Sequence, residues 1–180
     1  MNRTLLAFAA LTTTLAMSVA HATDGTINFT GELTAQTCTA RVNGSTTAVS
    51  TVALPRIATT SLATAGATGG ATTFTIALTG CSTGANVIAS AAAFFEAGPG
   101  VDPTTRNLRS TGTANNVQLQ LLDSDGEIIQ AGAATQVANT ARTTVTAGAA
   151  TLPYSVRYVA TGVPTAGTVV SSVTYSLNYQ

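Results

Sequence analysis

Three carboxylates crowd the stretch DSDGE, at Asp123, Asp125 and Glu127. Such a group could supply a general acid and base, or hold a cation. Its setting favours something plainer. Asp123-Ser124-Asp125-Gly126 carries turn-forming residues between VQLQLL (117–122) and a strand at 127–130, so the cluster reads as a solvated hairpin turn. The further carboxylate and the distal glutamate of an EF-hand are missing.

Other catalytic chemistry finds few residues to carry it. The chain has one histidine, His21, and no lysine. With that histidine in a stretch expected to be cleaved off, a Ser-His-Asp or Cys-His arrangement has no base, and without lysine a Ser-Lys pair or Schiff base has no amine. The sequence reads as a protein that is not an enzyme and needs no cofactor or metal.

His21 itself belongs to a leader. MNRT brings one arginine, LLAFAALTTTLAMSVA is an apolar stretch, and Ala20-His21-Ala22 is an A-x-A cleavage pattern. Residues 1–22 are expected to be a secretory signal peptide. An N-terminal membrane anchor is the weaker alternative, because the apolar stretch is short and a polar sequence follows. Removing Arg3 with the leader leaves one arginine fewer than the seven carboxylates. Nucleic-acid binding, which needs clustered cations, is not expected.

Export bears on the two cysteines, Cys38 and Cys81. An oxidising destination makes a disulfide between them the default. Closing a loop of about 44 residues would stabilise the fold by roughly 4 kcal/mol in the chain-entropy model. Free or metal-bound thiols are the competing reading, although two cysteines without histidine cannot make an ordinary structural zinc site.

The elements that would position these residues are short alternating segments rich in Ala, Thr, Gly and Val, the pattern of an all-β sandwich. AVSTVAL (48–54) ends at Pro55, and a Gly/Thr-rich connection, TAGATGGAT, leads into TFTIALTGC, where Phe74, Ile76 and Leu78 share a face. NVIASAAAFFEAG (86–98) has helical propensity, yet its surroundings favour an extended form. LPYSVRYVA (152–160) follows with Tyr154, Val156 and Tyr158 on one face. The last run, TVVSSVTYSLNYQ, alternates Val173, Tyr175, Leu177 and Tyr179, and a strand so regular must pair with something.

A second unpartnered strand lies near the other end. In TDGTINFTGELTAQTC, Ile27, Phe29 and Leu33 point one way and Asn28, Thr30 and Glu32 the other. Gly31 occupies the remaining apolar-face position, where a glycine weakens a strand. Asn28-Phe29-Thr30 and Asn43-Gly44-Ser45 match the N-glycosylation pattern, a short motif of low specificity.

Taken in order, these stretches carry a resemblance that covers the whole chain after the leader. GTINFTGEL before Cys38, Leu54-Pro55, F-x-I-x-L-x-x-C ending at Cys81, the VQLQLLDSDG hairpin, PYSVRYVATG, Gly167 and the final SVTYSLNYQ resemble the major structural subunits of type 1 fimbriae, pilins assembled by a chaperone and an usher. The resemblance implies an incomplete immunoglobulin-like β-sandwich, residues 37–180, lacking its last strand. Residues 23–36 would then be a donor-strand extension whose Ile27, Phe29, Gly31 and Leu33 enter a neighbouring subunit. Gly167, Val173, Tyr175, Leu177 and Tyr179 would form the groove edge, met first by a periplasmic chaperone and then, at an outer-membrane usher, by the next subunit's extension. The implied function is a structural subunit of a surface fimbria used in adhesion, polymerising by donor-strand exchange. The alternative is a minor or adaptor subunit, or a carbohydrate-binding adhesin module. Sugar sites usually use aromatic platforms and the chain has no tryptophan; adhesins also carry a second, receptor-binding domain, for which residues 23–180 leave no room.

Overall fold

Two long antiparallel strands form the centre of the molecule. The computed structural model describes Asn28 and residues 38–47, 49–83 and 87–180; the expected leader 1–22 and Ile27, Phe29, Gly31 and Leu33 lie outside them. Strand β2 (Thr68–Thr79) pairs along most of its length with β8 (Ala150–Ala160). Alternation places Phe74, Ile76 and Leu78 of β2 and Leu152, Tyr154 and Val156 of β8 in the core, as the period-2 pattern predicts.

Around this pair a larger sheet runs in the order β1-β2-β8-β5-β4, with β6 also on β5. Its other strands are β1 (Thr39–Val42), β4 (Leu108–Arg109), β5 (Val117–Leu122) and β6 (Ile128–Ile129). The second sheet has the order β7-β3-β9, from β3 (Ser90–Phe95), β7 (Thr143–Thr144) and β9 (Tyr175–Tyr179). Apolar side chains of both sheets meet between them. Phe95 of the smaller sheet sets its ring edge-on to Tyr154 of the larger at 5.3 Å, a favoured aromatic geometry.

The Ala-rich segment is a strand, as expected, because small side chains let the two sheets approach. Ala91 and Ala93 are buried, and the Ala93 N–H donates to the Tyr154 hydroxyl at 2.7 Å. The 117–122 strand and its hairpin partner also fall where they are expected.

Several boundaries differ from expectation. AVSTVAL forms no strand among its described residues, although Val52 and Leu54 pack against the core. The Gly/Thr-rich connection is partly strand, since β2 begins at Thr68, and a register shift between Gly69 and Thr72 absorbs its glycines. At Gly70, with φ +65°, a Cβ would lie 2.8 Å from the Tyr158 ring, so the close approach requires glycine. Strand β8 runs through Pro153. That is tolerated because β5 pairs only with residues 155–160, leaving Pro153 a ladder neighbour on one side alone. A one-turn helix, α1 (Gln136–Asn139), has no counterpart in the sequence reading.

One edge of β3 is closed by improvisation. Beyond the two residues paired with β7, the Ala93 N–H is taken by Tyr154 and the Phe95 N–H donates to Gln136 Oε1 at 3.0 Å. The Gln136 amide nitrogen returns a bond to the Phe95 carbonyl at 3.0 Å. A buried glutamine thus stands in for a strand and leaves these backbone groups satisfied.

Candidate functional site

The other edge of that sheet is different. Gln180 exchanges two hydrogen bonds with Ser90, and the Glu96 N–H donates to Thr174. An antiparallel ladder alternates, so the even-numbered residues of β9 bond to β3. The backbone N–H and C=O groups of Tyr175, Leu177 and Tyr179 must then point away from β3. Among the described residues no strand pairs with that side of β9.

Strand β1 presents the matching edge of the larger sheet. Asn43 pairs with Thr75 through its backbone N–H and its side-chain oxygen, so by the same alternation Ala40 and Val42 turn their backbone groups away from β2, the Val42 carbonyl accepting the Ser45 N–H. The side chains of Ala40, Val42, Val173, Tyr175, Leu177 and Tyr179 are half-buried and pack against the core. Among the described residues, one side of the sandwich therefore carries two strand edges flanked by half-buried apolar side chains. Burial pushes the Tyr175 phenol pKa up, and Arg41 pulls it partly back, so the phenol stays neutral across the physiological range.

Three devices hold this open edge in place. The Tyr179 hydroxyl accepts the Cys38 N–H at 3.1 Å, and Cys38 is disulfide-bonded to Cys81. The Ser176 hydroxyl donates to Glu96 Oε1 at 2.6 Å. Arg142 reaches both β3 and β9: Nε donates to Ser90 Oγ at 3.0 Å and Nη2 to the Asn178 carbonyl at 3.0 Å. Of these anchors the sequence reading includes only Tyr179 and the cysteines. Arg142 and Glu96 lie far from their partners in sequence and show no local pattern.

Of the expected groove positions, Val173, Tyr175, Leu177 and Tyr179 come together on one lip. Gly167 does not lie on that lip. It sits in the segment that approaches β9, where a Cβ would come within 2.6 Å of the Ala114 nitrogen. Hydrogen bonds from Thr111 to Val170 and from Ala114 to Thr168 fasten this segment. An open cavity of about 750 Å³ lies beside it, lined by Ile57, Leu62, Val117, Tyr158 and Val169 among others.

The DSDGE cluster is the hairpin turn expected, exposed from Ser124 to Glu127, but its first carboxylate is not solvated. Asp123 is 4% exposed. Its Oδ1 accepts the N–H groups of Asp125 and Glu127 at 3.0 Å each, and its Oδ2 accepts that of Ala141 at 2.9 Å. Three of the carboxylate's roughly four acceptor sites are thus engaged by backbone, while Ser124, Asp125, Gly126 and Glu127 face solvent. What the described residues offer a partner is thus backbone and apolar surface: the outward-turned groups of β9 and β1 beside half-buried apolar side chains.

Comparison with known proteins agrees with this architecture. The family model for type-1 fimbrial protein A matches residues 54–180. The F17 fimbrial protein of Escherichia coli is 40% identical over 167 residues, covering 91% of each chain. The major fimbrial subunit SMF-1 of Stenotrophomonas maltophilia is 42% identical over 167 residues, covering 89% of this chain and 95% of that one. Among solved structures, the P pilus rod subunit PapA superimposes with a TM-score of 0.60 at 18% identity, covering 79% of this chain and 99% of its own. A subunit from the structure of a chaperone–usher pilus gives a TM-score of 0.60 at 18% identity, covering 92% and 100%. These two show the shared fold. The chain belongs to the type-1 fimbrial protein family, and it is a structural subunit of a fimbria.

Proposed function

We propose that this chain polymerises by donor-strand exchange. One observation carries the reading: β9 turns the backbone groups of Tyr175, Leu177 and Tyr179 to an edge that no described strand occupies. An unpaired edge beside half-buried apolar side chains calls for a strand from elsewhere. The alternating segment around Ile27, Phe29, Gly31 and Leu33 has the composition to supply it. Burial of its three large apolar side chains would contribute on the order of 1.5–3 kcal/mol each, beside a new ladder of main-chain hydrogen bonds.

On this reading the exported chain meets a periplasmic chaperone, which covers the β9 edge, and an outer-membrane usher, where the extension of the next subunit replaces the chaperone. Each contact is heterologous and does not close on itself, so the product is a surface filament. No catalytic step, metal or cofactor enters. The name of the Stenotrophomonas relative, a major fimbrial subunit, supports a place in the rod.

The test is deletion of residues 23–35 from the mature chain. The shortened protein is expected to bind chaperone and to accept a donor strand, yet to build no fibre by itself. Fibres of normal length from that variant alone would overturn the reading. Electron microscopy of a strain lacking the protein separates rod from adaptor: whole fibres vanish in the first case, and only tips or lengths change in the second.

A further inference from the structure

Arg142 makes four hydrogen bonds, and all of them go to two residues on neighbouring strands. Nε and Nη2 donate to Ser90 Oγ and to the Ser90 carbonyl at 3.0 and 3.2 Å. Nη1 and Nη2 donate to Asn178 Oδ1 and to the Asn178 carbonyl at 2.6 and 3.0 Å. Ser90 belongs to β3 and Asn178 to β9, so one side chain spans the ladder between them.

The placement follows from alternation. Ala91, Ala93 and Phe95 face the core, which puts Ser90 and Ala92 on the opposite face, with Asn178 directly across from Ala92. The methyl group of Ala92 leaves the width a guanidinium needs to lie over the pair. Only an arginine has a planar fork that can donate in two directions at once; a lysine offers a single point charge.

All four acceptors are neutral, and partial burial lowers the pKa of the guanidinium. The one ion pair recorded among the described residues joins Arg109 to Asp102 instead. The four bonds therefore join two strands to one side chain and neutralise no charge. Among the described residues strand β9 is an edge strand near the C-terminus with a ladder on one side only, and such strands fray.

We propose that Arg142 is a positioning residue for strand acceptance: it holds the end of β9 in register on β3 while the outer edge is unpaired. A frayed edge would present neither aligned backbone groups nor formed pockets, and an incoming strand would have to order it first. This inference rests on the donor-strand reading of the same edge.

The test uses the full mature chain as a monomer and a synthetic peptide of residues 23–35 as the probe. Uptake of the peptide and amide hydrogen exchange are followed in the wild type and in Arg142→Gln, Arg142→Lys and Asn178→Ala. The glutamine variant is expected to take up peptide at least about tenfold more slowly, the equivalent of losing one charge-assisted hydrogen bond. Exchange should rise at residues 174–180 and stay unchanged in β2 and β8. Lysine should restore little, because it cannot bridge both strands, and Asn178→Ala should act in the same direction if Arg142→Gln fails to fold. Equal uptake by wild type and all variants overturns the role of Arg142, as does exchange that rises uniformly through the chain. A wild-type protein that takes up no peptide overturns the donor-strand reading instead.

Discussion

The phenolic oxygen of Tyr179, next to last in the chain, accepts the backbone N–H of Cys38 at 3.1 Å. This one bond ties the end of β9 to the residue that precedes β1, and the disulfide ties that residue to the end of β2. Tyr179→Phe keeps the ring and orphans the Cys38 N–H. It should lower stability by about 1 kcal/mol, read as an earlier midpoint in denaturant with an unchanged slope.

Gly31 occupies the position in the donor segment where the alternating pattern calls for an apolar side chain. If the neighbouring cleft has no pocket there, Gly31→Leu should fold, bind chaperone and fail to polymerise. Co-purification with chaperone and electron microscopy of fibres check the two halves separately. Normal fibres from Gly31→Leu would show that the cleft accommodates a large side chain at that point.

Asp123 links its own turn to the segment after α1 by accepting three backbone N–H groups. Asp123→Ala leaves those donors without a partner in a buried place. The expected loss is about 3 kcal/mol, measured by urea unfolding of the monomer. Asp123→Asn, which keeps a side-chain oxygen for the turn, should lose less.

Asp102 behaves as a pH-dependent staple in the loop before β4. The backbone N–H groups of Thr105 and Thr104, and then Arg109, hold its carboxyl at a pKa of about 2, below the ordinary 3.8. A carboxylate with a depressed folded-state pKa stabilises above its ordinary value and loses that contribution as pH falls through the depressed one. Asp102→Asn should therefore melt slightly below wild type near neutral pH. The gap should close between about pH 4 and about pH 2.

How far the sequence reveals the fold depends on whether a feature is local. The β2, β5 and β8 strands are legible because each carries its core face as an alternating run, Phe74-Ile76-Leu78 and Tyr154-Val156 among them. AVSTVAL alternates equally well and yet forms no ladder in its described residues, since periodicity reports burial and not the presence of a neighbour to bond with. The apolar lip, Val173 to Tyr179, is legible for the same reason as β2. Arg142 and Gln136 are not, because their partners lie 52 and 41 residues away and a single polar residue has no period. Asp123 is misread because a turn motif does not disclose that a distant backbone, at Ala141, will come down on it.

The closure of the far edge of β3 by Gln136 and Tyr154 has a consequence for how subunits can be joined. With those backbone groups already satisfied, β3 has no free N–H at Ala93 or Phe95 to offer an incoming strand, and β9 is left as its receptive side. A monomer that accepts once and donates once has a valence of two. On the donor-strand proposal, condensation of such monomers gives linear chains.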